Sequence, residues 1–408
     1  MRKLGLSAST RITRTGVLLK VLIVTPSYLP ILGGSETLTH TLSIGLNEAG
    51  VQTDVMAFNM DDKWKVVWSE KTEKNSDFKV FKVPALKPFP FISLNPLYYP
   101  LRINVMPKPG FKKKFEDYDI IHFLGEADLS FPIFSLSVRK PKIMHCVGIS
   151  GLEKQFKRHT TMRELFVRIF PRVADLYLVF SPEEKNVLLD LGIPENKVLT
   201  LHYGVDTEIF RPDESKKLAN LILFVGRIDP VKGLHVLLKS LSYLDFKTQV
   251  AIIGPATNPK YFMQIEKMRA EINKQGVHNV SYLGQMDPRG LVPWYQKATV
   301  LARPDLVGAS GEGCSTLEAL ACGTPVIGVT NHVVINDFNG WIIPPNDPIK
   351  LAEALRKVLT DKELREKCGK AARKRIEQEF SMKSAVMKLV KIYEDLLNRG
   401  EQISQMEA

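Results

Sequence analysis

The sequence predicts two doubly wound α/β domains, and three observations carry that prediction. Short apolar, β-branched runs alternate with helical patterns, the signature of βαβ units built around a parallel sheet. The alternation occurs twice, once from Lys20 and again after residue 218, with a polar stretch between. The chain has 408 residues, which suggests two or three domains at roughly 150 residues each.

The first 20 residues contain five basic and no acidic residues. They lack the apolar core of a secretory signal, so residues 1–19 are expected to be a disordered basic arm. Order begins at Lys20. Val21-Leu22-Ile23-Val24 has the character of a strand buried on both faces of a parallel sheet. Pro26 to Gly34 reads as a loop, Ser35 as a helix N-cap with Glu36 in the first turn, and Gly50 as the stop. Val51 to Phe58 returns to strand. Residues 84–115 are rich in proline and aromatics, lack periodicity and carry Lys112-Lys113-Lys114, so they read as a long irregular insertion.

The second series of strands is Leu221–Val225, Gln249–Ile253, Val280–Leu283, Thr299–Ala302 and Pro325–Val329. Helical patterns at 232–243, 259–275, 288–297 and 312–322 separate them. Helices near 348–360 and 361–379 follow, then a last helix over 382–398 with Met387, Val390, Tyr393, Leu396 and Leu397 as its apolar stripe. Asp206–Asn220 is polar, contains Pro212 and is expected to be the linker.

Composition limits the function classes. Hydrophobic residues make up 44% and charged residues 25%, which suits a folded globular chain and argues against disorder. No window approaches 18 uninterrupted apolar residues, so no transmembrane helix is expected. Cys146, Cys314, Cys322 and Cys368 are scattered, which favours free thiols in a reducing compartment over disulfides or a zinc site. The net charge of +12 is compatible with nucleic acid, an anionic membrane or a phosphorylated ligand.

Three segments could carry chemistry. Gly33-Gly34 follows the first strand and opens a helix, where backbone N–H groups can meet an anion. It is not a dinucleotide fingerprint, so hydride transfer gains little support. In Phe224-Val225-Gly226-Arg227-Ile228-Asp229-Pro230-Val231-Lys232-Gly233, a strand ends and two cations precede a helix. Arg227 offers a planar fork to phosphate oxygens and Lys232 a compact charge, at the strand end where α/β sheets bind ligands. In Ser310–Pro325, Glu312 lies in a Gly-rich loop and Glu318 in the following helix, as acceptors suited to ribose or sugar hydroxyls.

Taken together, these residues are identified with a known family. The chain resembles the retaining nucleotide-sugar glycosyltransferases of glycosyltransferase family 4. The matching elements, in order, are the Gly33-Gly34 loop, His202–Pro212, Gly226–Gly233, Glu318–Pro325 and Asn339–Pro345, within residues 20–398. The resemblance implies a GT-B fold, with two Rossmann-like domains facing across a cleft. The first would be residues 20–205 plus 380–408, including a C-terminal crossover helix. A linker at 206–220 would lead to a donor-binding domain at 221–379. The implied reaction moves a sugar from a nucleotide diphosphate-sugar to a glycan or lipid-linked hydroxyl. The nucleotide-sugar serves as co-substrate, with no metal and no further cofactor. Arg227 and Lys232 would neutralise the donor diphosphate, Gly33 and Gly34 would approach it from the other domain, and Glu318 would hold the ribose.

The sequence departs from the family pattern at three places. Counting back over seven intervening residues from Glu318 reaches Ser310, whereas Glu312 has five between, so either residue could fill the position that contacts the donor sugar. Residues 329–338 are shorter than the family's segment and lack its GGxPE-like signature. The acceptor-side histidine has a near match in His145, two residues early, with His122 a weaker candidate at the end of another strand.

The stretch Lys154–Arg172 contains six Lys or Arg and one acid, with apolar residues between. It reads equally as an interfacial helix on anionic lipid or as a basic helix packed on the sheet. Together with Lys112–Lys114, the first reading would suit a lipid-linked acceptor and a cytoplasmic enzyme peripheral at the inner membrane face. Two alternatives to transfer remain open. One is a degenerate GT-B protein that binds nucleotide or a partner, and the other is an enzyme with water or phosphate as acceptor. Nucleic acid is not an expected partner, because no recognition module is evident.

Overall fold

The computed structural model describes residues 13–14, 17–29, 34–59, 67, 69–74, 77–86, 106–107, 112–126, 135–136, 138–147, 149, 164, 167–306, 313–329 and 332–406. The chain divides into two compact units, Met1–Gly204 with Met382–Ala408, and Val205–Ser381.

The first unit is built on an eight-stranded sheet. Its strands are β1 (Lys20–Thr25), β2 (Gln52–Phe58), β3 (Lys71–Lys74), β4 (Lys79–Val83), β5 (Ile120–Glu126), β6 (Lys142–Val147), β7 (Leu176–Val179) and β8 (Val198–Thr200). The order is β8-β7-β6-β5-β1-β2-β4-β3. β3 and β4 form an antiparallel hairpin, and the other neighbouring pairs are parallel. The pleat sends alternate side chains of β1 to opposite faces. Leu22 and Val24 join Phe123, Met144 and Tyr177 on one face. Val21 and Ile23 join Leu42, Leu389 and Tyr393 on the other. That second face is covered by α1 (Gly34–Glu48) and the C-terminal helix (Met382–Met406).

The second unit has a six-stranded sheet: β9 (Leu221–Val225), β10 (Thr248–Ile253), β11 (His278–Tyr282), β12 (Val300–Arg303), β13 (Val326–Gly328) and β14 (Gly340–Ile342). Its order is β11-β10-β9-β12-β13-β14, with every neighbouring pair parallel. The direction in which successive strands are added reverses between β9 and β12, because β10 lies on one side of β9 and β12 on the other. Such a switch point opens a crevice at the carboxyl ends of the strands. The helices obey local rules. Asn258, Asp287 and Asp347 each accept a backbone N–H as N-cap, and each is followed by a proline in the first turn. They open the helices Pro259–Gln275, Pro288–Lys297 and Pro348–Thr360.

Several sequence expectations need correction. Thr13–Arg14 pairs with Val17–Leu18, and Leu19 is buried, so described structure precedes Lys20. The rest of the 1–19 arm lies outside the described residues. Helix α1 starts at Gly34, one residue before the expected cap. Residues 206–220 are not a free linker but belong to the second unit. The Arg211 carbonyl accepts from Gln296 Nε2 at 2.9 Å, the Leu218 N–H donates to the Lys297 carbonyl at 2.9 Å, and Phe210 is buried. Arg373 secures the same segment by donating to the carbonyls of Thr207 and Phe210. The expected stripe of the C-terminal helix holds at four of its five residues and fails at Met387. Val386, Leu389, Val390, Tyr393, Leu396 and Leu397 are buried, whereas Met387 is 50% exposed.

Tyr393 ties this helix to the sheet through a hydrogen bond to His122 Nδ1 at 2.6 Å. Leaving that buried ring nitrogen without its partner should cost about 1–3 kcal/mol. Tyr393→Phe is therefore expected to lower the melting temperature, and Met387→Gln, on the exposed side, is expected to leave it nearly unchanged. Thermal unfolding of both variants checks this.

Candidate active site

The carboxyl ends of β9 and β12 bring Arg227, Lys232, Arg303 and Asp305 together. Arg227 follows β9 after Gly226. It is exposed, and its guanidinium makes no ion pair or hydrogen bond among the described residues. Asp229 then caps a short 3₁₀ turn, Pro230–Lys232, by accepting from the Val231 N–H. This turn fixes Lys232 just before helix Leu234–Ser240. Gly233 between them is left-handed at φ 66°, and a Cβ there would lie 1.8 Å from the Pro304 carbonyl oxygen. Glycine is therefore required for the loop after β9 to lie against the loop after β12.

The end of β12 contributes Arg303, Pro304 and Asp305, all buried. Asp305 receives two cations, Lys232 Nζ at 3.0 Å on Oδ1 and Arg303 Nη2 at 2.9 Å on Oδ2. Arg303 Nη1 donates to Thr316 Oγ1 at 2.7 Å, in the first turn of helix Cys314–Ala321. Gly313 precedes that helix with φ 65°, and a Cβ on it would meet Arg303 Nη1 at 2.1 Å. Two turns of chain are thus packed around one guanidinium. Burial lowers the pKa of the Lys232 ammonium, as do the positive charges of Arg303 and Arg227, while Asp305 opposes them.

Glu318 lies one turn further along the same helix. Its carboxylate accepts from Tyr295 Oη at 2.7 Å. Burial raises its pKa to about 7, against the pull of the Tyr295 hydrogen bond and the charge of Arg303. A carboxylate of this kind can accept from ligand hydroxyls, and the cations beside it can meet an anion. Among the described residues no three His, Cys, Asp or Glu side chains are gathered so as to hold a metal ion.

The structure therefore brings Arg227, Lys232 and Glu318 to one end of one sheet. Sequence reasoning missed Arg303, Asp305, Thr316 and Tyr295. A signal for the first two was present, since Arg303-Pro304-Asp305 directly follows an apolar strand at the end where α/β sheets bind ligands.

In the first unit, Gly34 is exposed at the start of α1, and its carbonyl accepts from Tyr203 Oη. Behind it, Glu36 is buried and accepts from the hydroxyls of Ser27 and Ser35. Gly33, Ser310 and Glu312 lie outside the described residues.

His145, expected near an acceptor, is enclosed within the first unit. It is 1% exposed, within β6, stacked on His122 at 5.4 Å and against Phe180 at 4.6 Å. Burial, and secondarily His122, push its pKa well down, so it is a neutral ring in an apolar layer. His122 is equally enclosed, at mid-strand rather than strand end, with its pKa lowered by burial to about 3.

The basic segment Lys154–Arg172 is described only at 164 and 167–172. There Phe170 is a core residue, with Val167 and Ile169 packed against the same cluster, so the apolar side chains at this end lie against the sheet. Lys112–Lys114 falls in a short helix, Lys112–Phe115, where Lys114 pairs with Glu70 and lies over the Phe81 ring. Among the described residues no helix is long and apolar enough to cross a membrane.

Comparison with known proteins identifies the family and the fold. The family model described as Glycosyltransferase Family 4 matches residues 32–209, and the model described as Glycosyl transferases group 1 matches residues 205–375. O-antigen chain mannosyltransferase C of Escherichia coli is 24% identical over 396 residues, covering 93% of this chain and 99% of that protein. A D-inositol 3-phosphate glycosyltransferase of Kribbella flavida is 32% identical over 223 residues, covering 49% of this chain and 51% of that protein. Among solved structures, Anabaena HepE in complex with UDP and glucose aligns with TM-score 0.70 and 16% identity, over 92% of this chain and 99% of that one. Sucrose-phosphate synthase from Thermosynechococcus elongatus aligns with TM-score 0.71 and 19% identity, over 93% of this chain and 100% of that one. The chain belongs to the group 1 glycosyltransferases of family 4, and its fold is GT-B.

The raised pKa of Glu318 has a signed consequence for stability. Between its unfolded value and about 7, the folded state holds the proton that the unfolded state has released, so this group's contribution to stability falls as pH rises through that window. Glu318→Gln retains an acceptor for Tyr295 and cannot titrate. It is expected to flatten the loss of stability between about pH 4.5 and 7, measured by thermal unfolding against pH beside the wild type.

Proposed function

With that membership as premise, we propose that the protein transfers a sugar from a nucleoside diphosphate-sugar to a sugar or lipid-linked hydroxyl, with retention at the anomeric carbon. The observation that carries this reading is the position of Arg227 and Lys232 after β9, at the switch point of the second sheet, with Glu318 on the helix whose first turn Arg303 holds. Negative charge builds on the leaving diphosphate as the glycosidic bond breaks. Fixed cations at that position stabilise the charge where it forms. The free Arg227 fork suits phosphate oxygens, and Lys232 is already held in place. Glu318 accepts from ribose hydroxyls.

Retention follows if the acceptor hydroxyl attacks on the face the diphosphate leaves, with a donor phosphate oxygen taking the proton. No protein nucleophile is needed, and the burial of His145 is consistent with a mechanism that uses none. The protein cations supply the charge neutralisation that a metal ion would otherwise give, so turnover is proposed to be metal-independent.

Binding of UDP, GDP, ADP and their sugar conjugates, followed by thermal shift and calorimetry, tests the donor reading. Ligand at a hundredfold above its Kd should stabilise the protein by about 2.7 kcal/mol. Absence of binding across the panel would favour a non-catalytic scaffold instead. Arg227→Ala and Lys232→Ala should each lower transfer at saturating donor by about 10²–10³. The anomeric configuration of the product, read by NMR, and turnover with added chelator test retention and metal independence.

A further inference from the structure

The mechanism above uses Lys232 and leaves unexplained why its ammonium is tied to a buried aspartate. An anion beside a cation meant for phosphate offsets part of its charge. The contacts of Asp305 resolve this. Its carboxylate spans Lys232 Nζ at 3.0 Å and Arg303 Nη2 at 2.9 Å. Arg303 continues the chain to Thr316 on the helix that carries Glu318. The Arg303 and Asp305 side chains are 9% and 6% exposed, whereas Lys232 is 25% exposed. Arg303 and Asp305 are thus the buried members of the chain, and Lys232 is its accessible member. We infer that Asp305, held by Arg303, is a positioning residue for sugar transfer. It fixes the direction of Lys232 and keeps it charged next to two other cations.

This inference rests on the reading of Lys232 as the group that faces the leaving diphosphate. Among the described residues, the charged groups that bear on Lys232 are Arg227 from the loop after β9 and Arg303 and Asp305 from the end of β12. Two are cations that favour the neutral amine, and Asp305 alone opposes them. A flexible lysine with three donors has no preferred direction of its own. A carboxylate anchored 3.0 Å from its ammonium supplies one, and a small misplacement of a reacting group is enough to slow a reaction by orders of magnitude.

The test compares Asp305→Asn with the wild type. At saturating donor, turnover should fall by about ten- to hundredfold, with a smaller change in donor KM. The alkaline limb of the pH profile should move to lower pH, because Lys232 loses its proton more readily once the aspartate charge is gone. Asp305→Glu should recover part of the rate and return the limb toward its wild-type position.

A double variant, Arg303→Met with Asp305→Asn, removes both buried charges together and so avoids leaving a lone guanidinium. It serves as the readout if Asp305→Asn alone does not fold. The double variant should remain slow. Wild-type turnover in it would mean that Asp305 merely neutralises Arg303, which overturns the inference.

Trace acetylation of Lys232 against pH, read by mass spectrometry, needs no substrate. The labelling midpoint should shift to lower pH in Asp305→Asn. An unchanged midpoint would overturn the inference even if the protein proves to be an active transferase. A shifted midpoint in a protein that transfers no sugar would leave the brace standing and count against the proposed reaction alone.

Discussion

The second unit is organised around one buried carboxylate. Asp305 neutralises Arg303 inside the fold and Lys232 at its edge, and without it two cations would share a poorly hydrated space. Burying such a guanidinium is tolerable only when its donors are satisfied. Arg303 meets that condition with Asp305 and Thr316, and left-handed Gly313 leaves room for it. The sheet determines where this happens. A parallel sheet with a reversal between β9 and β12 places both strand ends beside one crevice, and the residues that follow them meet there.

Much of the fold was legible because local signals and tertiary packing agree. Helices 259–275, 288–297 and 348–360 follow the sequence reading because each starts with an Asn or Asp cap and a proline. Strand Leu221–Val225 was legible because every residue is apolar and the sheet encloses it. The hairpin of β3 and β4 was not, since Lys71–Lys74 is a polar edge strand without alternation. The polarity of 206–220 suggested a linker. Its backbone is held by Gln296 and Arg373, partners that are 85 or more positions away in sequence.

The candidate site was legible where chemistry and position coincide, at Arg227, Lys232 and Glu318. It was illegible where function depends on what covers a residue. A histidine at a strand position is the same letter whether the cleft or a helix lies over it. His122 sits under the C-terminal helix because Tyr393, 271 positions later, packs there, and His145 is stacked on His122. Likewise, Met387 fitted a helical period as well as Val386 or Leu389 did. Only the side of the helix that meets β1 and α1 separates them.

The return of the chain to the first unit sets an order of assembly. Residues 205–381 are contiguous and carry their own core, so this half can collapse as soon as it has left the ribosome. The other half cannot. One face of its sheet, with Val21, Ile23, Leu124 and Leu178, is covered only in part by α1 until residues 382–397 arrive to complete the layer. The part made first is therefore the part completed last, and for most of synthesis it presents an apolar face for chaperones to guard. Losing the last helix to premature termination would strip the core of the N-terminal half while sparing the half that lies next to it in sequence.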